Sequence, residues 1–155
     1  MKFSRYIIGS APGAADEIWN IRDKVLTKLQ ELVGSNTYYP QPGEWLKWAL
    51  NPTRKREDAV LLAVLSIFYL ELDSLAEQVD RWEDDALTVH LVTYNDFISY
   101  QNEVGDNFEI YNKSYCTYGR HAVNLDEFNP GDIFYVCLPT IDSVIKYAKT
   151  LASVT

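Results

Sequence analysis

The run AVLLAVLSIFYL, residues 59–70, holds no charged side chain and one hydroxyl besides its tyrosine. A helix that is apolar all round has to be enclosed by other elements. A membrane crossing takes about 20 apolar residues, and this run falls short of that. It is therefore read as a buried helix in a soluble protein. It is preceded by RED and continues into ELDSLAEQVDRWEDD, which predicts one long helix over 57–84. In the second half Leu72, Leu75, Ala76, Val79 and Trp82 would face inward. Glu71, Asp73, Glu77, Asp80, Glu83, Asp84 and Asp85 would mostly face outward. Acid at a helix C-terminus opposes the macrodipole, so the end near Glu83 should fray unless something positive lies beside it.

Something must cover the apolar half. KFSRYIIG, residues 2–9, reads as a strand. Ile18, Ile21, Val25, Leu29 and Leu32 recur at steps of three and four and predict a helix over 14–33, ended by Gly34, Ser35 and Asn36. TYYPQPG is a loop, and EWLKWALN a short helix stopped by Pro52. ALTVHLVTY alternates with period two, as a strand does. Residues 95–131 are the least regular, with strands expected at NFEIYN and SYCTYG. DIFYVCL reads as a central strand, followed by an amphipathic helix over TIDSVIKYAKTLAS with Thr140 as N-cap. The expected fold is α+β: one domain, 1–155, with a mixed sheet of four to five strands and three to four helices. A doubly wound α/β sheet is the alternative.

Charge narrows the partners. The 155 residues carry 14 Lys and Arg against 22 Asp and Glu, a formal net charge of −8. Such a surface repels phosphate backbones and anionic lipid, so direct nucleic-acid or membrane binding is not expected. A basic protein surface suits it better, and solubility alone also accounts for it. Cys116 and Cys137 form no C-x-x-C pair, which excludes a zinc knuckle or a dithiol motif. The apolar stretch near the start, Tyr6 to Ile8, is too short for a secretory leader. A reducing, cytoplasmic location is expected.

GSAPGAAD, residues 9–16, is a small-residue turn between a strand and a helix. A helix N-terminus offers unpaired N–H groups and a positive dipole end, which suits an anion. Gly9, Ser10 and Gly13 would line such a site. LPTIDS, 138–143, is a second turn of the same kind, and Thr140 and Ser143 would join the first set if the two strands lay parallel and adjacent. Against this, neither phosphate-loop pattern is present and no lysine follows. Asp16, Glu17 and Asp142 also place acid at the two mouths.

Catalytic signatures are sparse. His90 lies mid-strand, and His121 sits beside Arg120 in YGRHAV. Either could move a proton, and either suits a structural role. No H-E-x-x-H, calcium loop or G-x-S-x-G elbow occurs, so no metal, cofactor or nucleophile is assigned. The chain is not identified as an enzyme. Carboxylates 73, 77, 80 and 84 share a helix face that suits solvent or a weak cation. Arg54, Lys55 and Arg56 form the one dense basic cluster, followed at once by two acids.

Aromatics make up 14% of the chain. Tyr38, Tyr39, Trp45 and Trp48 lie on or near a proline-bearing loop, and Tyr111, Tyr115 and Tyr118 cluster further on. Such residues are core material or anchors for a protein partner. The leading expectation is a small acidic binding protein, inhibitor- or immunity-like, that occupies a basic surface of a protein partner. Tyr38, Tyr39, Trp45, Trp48, Glu77, Asp80 and Asp84 would make the contact. The alternative is a nucleotide or phospho-ligand protein, with or without catalysis, using Gly9, Ser10, Gly13 and Thr140.

Overall fold

The computed structural model describes residues 7–10, 12–41, 44–85, 87–93 and 133–154, leaving aside the side chains of 7, 44–46 and 133–135. The elements run β1 (Ile7–Ser10), α1 (Ala14–Val33), α2 (Glu44–Ala49), α3 (Arg56–Asp84), β2 (Thr88–Thr93), β3 (Ile133–Leu138) and α4 (Ile141–Ser153). They gather into two compact units. One takes Met1–Glu17 with Leu75–Thr140, the other Ile18–Ser74 with Ile141–Thr155. The boundaries cut α1 and α3, so each unit is built from two separate pieces of chain.

The unit containing Ile18–Ser74 is helical. Ile18, Val25 and Leu29 of α1, Leu62, Leu65, Phe68 and Leu72 of α3, and Val144 and Ala148 of α4 are all buried. The run 59–70 is buried only in part: Leu62, Leu65, Ser66, Phe68 and Tyr69 are buried, Ile67 is 40% exposed and the rest are half-buried, short of the full enclosure its composition predicts. By length and composition α3 is apolar enough to cross a membrane, yet half of that window is buried inside the protein. The α1 helix ends as its sequence predicts, with the N–H groups of Gly34 and Ser35 both donating to the Gln30 carbonyl. Arg56 opens α3 with a charge that opposes its own dipole. Its Nε and Nη2 instead donate to the carbonyls of Ala152 and Val154, at 3.3 and 2.8 Å. There the guanidinium serves the C-terminal end of α4, whose last turn has no basic residue.

The other unit holds a three-stranded sheet in the order β1-β2-β3. β1 runs antiparallel to β2, pairing Ser10 with His90 and Ile7 with Val92 across an irregularity near Gly9. β2 and β3 are parallel, from Thr88 with Ile133 to Thr93 with Leu138. Val89, Leu91 and Val92 are buried together with Val136, Cys137 and Leu138, and the end of α3 adds Leu75, Ala76, Val79 and Trp82.

The architecture corrects the expected fold class. Among the described residues the protein is mostly helical, with four helices and a small three-stranded sheet, in place of a sheet of four to five strands. The apolar half of α3 is about half buried and lies in the helical unit, which contains none of the described strands. The doubly wound alternative also fails, because β1 enters antiparallel and the described strands form one parallel pair. Strands expected within 95–131 lie outside the described residues, as do Cys116, His121, Tyr111, Tyr115 and Tyr118.

Candidate functional site

Gly9, Ser10 and Gly13 stand where the sequence places them, between β1 and α1. Two of the N–H groups at this turn are already engaged by an acid of the chain itself. The Glu83 carboxylate reaches back from the end of α3 and accepts from Gly13 N through Oε2 and from Ala15 N through Oε1, both at 2.8 Å. The positive end of α1 therefore holds an internal anion. The acid that was expected to fray α3 finds its counter-charge in a neighbouring helix dipole. The sequence signal for this was an excess of acid at a helix end, with Arg81 the one cation of the last turn.

The two glycines have different reasons. A Cβ on Gly9 would lie 3.2 Å from the Cβ and Cγ of Glu17 and 3.4 Å from Leu91 Cδ1, so close packing favours its absence. Gly13 has φ +129°, a conformation that strains any β-branched replacement. Gly13→Val thus reports on backbone strain before it reports on any ligand.

Thr140 does not join this group. β1 and β3 flank β2 on opposite sides and run antiparallel to each other. Ser10 ends β1 beside His90, near the Thr88–Ile133 end of the sheet. Leu138 ends β3 beside Thr93, at the opposite end. The two strand-to-helix turns therefore leave the sheet at opposite ends and share no pocket.

His90 is half-buried in β2. Burial lowers its pKa below the ordinary 6.5. The unfolded chain then takes up a proton near pH 6.5 that the folded strand resists, so stability rises with pH through this window and is lost below it. Urea unfolding from pH 7.5 down to pH 5 is expected to show that loss, and His90→Gln to flatten it.

The aromatic set divides. Tyr38 is 2% exposed. Its phenol shares a 2.9 Å hydrogen bond with buried Ser66 Oγ, and burial raises its pKa against the opposing effect of that bond. It is core, not a contact residue. Tyr38→Phe would leave the Ser66 hydroxyl buried without its partner. It is expected to cost about 1–3 kcal/mol, read as a lower urea midpoint. Tyr39 and Trp48 are 48% and 39% exposed. Tyr39 stands edge-on to buried Tyr69, with centroids 5.4 Å apart, and accepts a 2.5 Å hydrogen bond from the Tyr69 hydroxyl. Trp48 stands edge-on to Tyr38 at 5.3 Å. The side chain of Trp45 lies outside the described set.

Beneath Tyr39 is a polar cluster that the sequence did not single out. The Arg22 guanidinium lies 5.7 Å from the Tyr69 ring centroid and donates through Nη1 to Asp73 Oδ1 at 2.6 Å. Burial and the bond to Tyr39 hold the Tyr69 phenol well above the ordinary tyrosine range. It stays protonated and keeps donating to Tyr39.

Among the acids, Glu77, Asp80 and Asp84 are exposed on α3, with Arg81 between them. Asp73 is taken by Arg22, which breaks the expected carboxylate ladder. No group of three metal-ligating side chains occurs among the described residues. An open groove of about 320 Å³ lies between α1, α3 and α4, floored by Leu32, Leu61, Leu65 and Ile145 with Lys28 and Glu31 at its rim. That rim has no net charge with which to select a ligand. Comparison with protein-family models, with curated proteins and with solved structures returns no match.

Proposed function

We propose that the protein is a binding protein that acts by occupying a surface of a protein partner, in the manner of an inhibitor. The observation that carries this reading is the pair Tyr39 and Trp48. Both present a large ring to solvent while an edge contact to a buried tyrosine fixes the ring behind it. A side chain ordered before binding loses little entropy on binding, which is what makes rigid aromatics effective anchors. Cross-linking capture from a cell extract, with wild type and with the Tyr39→Ala/Trp48→Ala double variant, tests it. A protein held by the wild type and lost by an equally folded double variant supports the reading. Capture that ignores both substitutions overturns it.

The acidic face of α3 is a separate surface in this proposal, set against basic groups of the partner. Its carboxylates Glu77, Asp80 and Asp84 are exposed, while Leu75, Ala76, Val79 and Trp82 of the same turns are buried. Glu77→Lys with Asp80→Lys is expected to weaken partner binding about tenfold and to flatten its salt dependence, mainly through the association rate. Unchanged affinity and salt slope in a titration would remove this face from the interface.

A further inference from the structure

The chain is acidic, but the segment from Lys47 to Arg56 is not. Residues 47–56, KWALNPTRKR, hold four of the 14 basic residues and no acid. One of the four, Arg56, is engaged at the end of α4. Lys47 and Lys55 are exposed, and Arg54 is half-buried with its Nε engaged and its terminal nitrogens left to meet a ligand. Between them Leu50 is 70% exposed beside Trp48.

This segment is held in one shape. Asn51 Oδ1 accepts from both the N–H and the hydroxyl of Thr53, at 3.1 and 2.9 Å. The Arg54 N–H donates to the Asn51 carbonyl at 3.0 Å. Arg54 Nε then donates to the Trp48 carbonyl at 3.0 Å, which fixes the start of its guanidinium against the end of α2. An Asx-type turn of this kind orders the chain without help from a partner. The result is a preformed turn that carries two exposed apolar residues, Trp48 and Leu50, between Lys47 and the basic run Arg54–Arg56.

We infer that this turn is a docking site for an acidic segment of a protein partner, one that carries an apolar side chain among Asp or Glu residues. The inference rests on the protein-binding reading and names the chemistry of its aromatic site. Charge complementarity selects the occupant. Trp48 and Leu50 take the apolar side chain, and Lys47, Arg54 and Lys55 take the flanking carboxylates. An anionic bilayer or a polynucleotide also carries negative charge, but it is extended and meets the rest of the chain, which is strongly acidic. A short peptide senses charge only within a screening length of about 8 Å, and so meets the cations of this turn, with Glu57 and Asp58 behind them, rather than the acidic surface of the whole chain.

The test is selection of a displayed random-peptide library on the full immobilised chain, followed by fluorescence anisotropy with the enriched peptides. Acidic peptides with one or more leucine or aromatic residues are expected. Lys55→Glu is expected to weaken them about five- to tenfold, and Trp48→Ala about thirtyfold. Because Trp48 also packs on Tyr38, Leu50→Asp serves as a second variant at an exposed position, and the same loss is expected with the melting temperature unchanged. Basic or neutral peptides that still need Trp48 would overturn the inference while leaving the protein-binding reading in place. Peptides indifferent to Trp48, Leu50 and Lys55, no enrichment at all, or preferential binding to phosphatidylserine vesicles would overturn it as well. The capture experiment decides the broader reading independently.

Discussion

Glu83→Ala is expected to lower the free energy of unfolding by about 1–3 kcal/mol. The carboxylate accepts two N–H bonds at the first turn of α1, from Gly13 and Ala15. Removing it leaves two part-buried donors to find water and takes an anion from the positive end of a helix. An N-cap alone accounts for about 1 kcal/mol, and the second bond and the charge supply the rest. Glu83→Gln keeps one acceptor oxygen and should fall between the variant and the wild type. Urea unfolding followed by circular dichroism is the measurement. A lower midpoint at an unchanged slope would show lost stability rather than an altered denatured state. A midpoint within error of the wild type would show that the cap contributes nothing in solution.

Leu72→Ala should cost more, about 2–5 kcal/mol. Leu72 is fully buried, one helical turn beyond Phe68 and within the same core. Its removal loses transfer free energy and leaves a cavity that neighbouring side chains fill only in part. The whole stability of a domain is about 5–15 kcal/mol, so the melting point should drop by many degrees. Leu50→Ala is the paired control, because Leu50 is largely exposed and a surface change of this kind usually stays within about 0.5 kcal/mol. Equal effects at the two positions would contradict the burial assigned to α3.

Helix positions were largely readable from the sequence. The steps of three and four in α1, α3 and α4 give bounds within a residue or so of those observed, because burying one face imposes that period. The alternation in β2 was readable only as far as Leu91: Val89 and Leu91 are buried between half-buried Thr88 and His90, but Val92 is buried too and Thr93 half-buried, against a period of two. What the sequence did not carry was direction and pairing. Nothing in IIGS or IFYVCL says that the two strands flank a third and run oppositely, yet that arrangement separates Thr140 from Gly9, Ser10 and Gly13. Tyr38 and Tyr39 show a second limit. They are neighbours of one residue type, and only contact with Ser66 in one case and Tyr69 in the other makes the first core and the second surface. Glu83 shows a third, since its partners lie 68 and 70 positions away.

The interleaving of the two units bears on how the chain is made. The helical unit needs Ile141–Ser153, and the sheet unit needs residues before Glu17 as well as those after Leu75. Synthesis proceeds from the N-terminus, and domains generally fold as units. Neither unit here is complete while the first half of the chain leaves the ribosome. Through that interval α1 has no Glu83 at its first turn and α3 has no α4 beside Arg56. The run 59–70 then stands exposed, which is the condition under which nascent chains aggregate or recruit chaperones. Long sequence separation between partners also slows folding. A nascent chain stalled after residue 100 should therefore remain protease-sensitive throughout, whereas one stalled well beyond 155 should protect α1, α3 and α4 together.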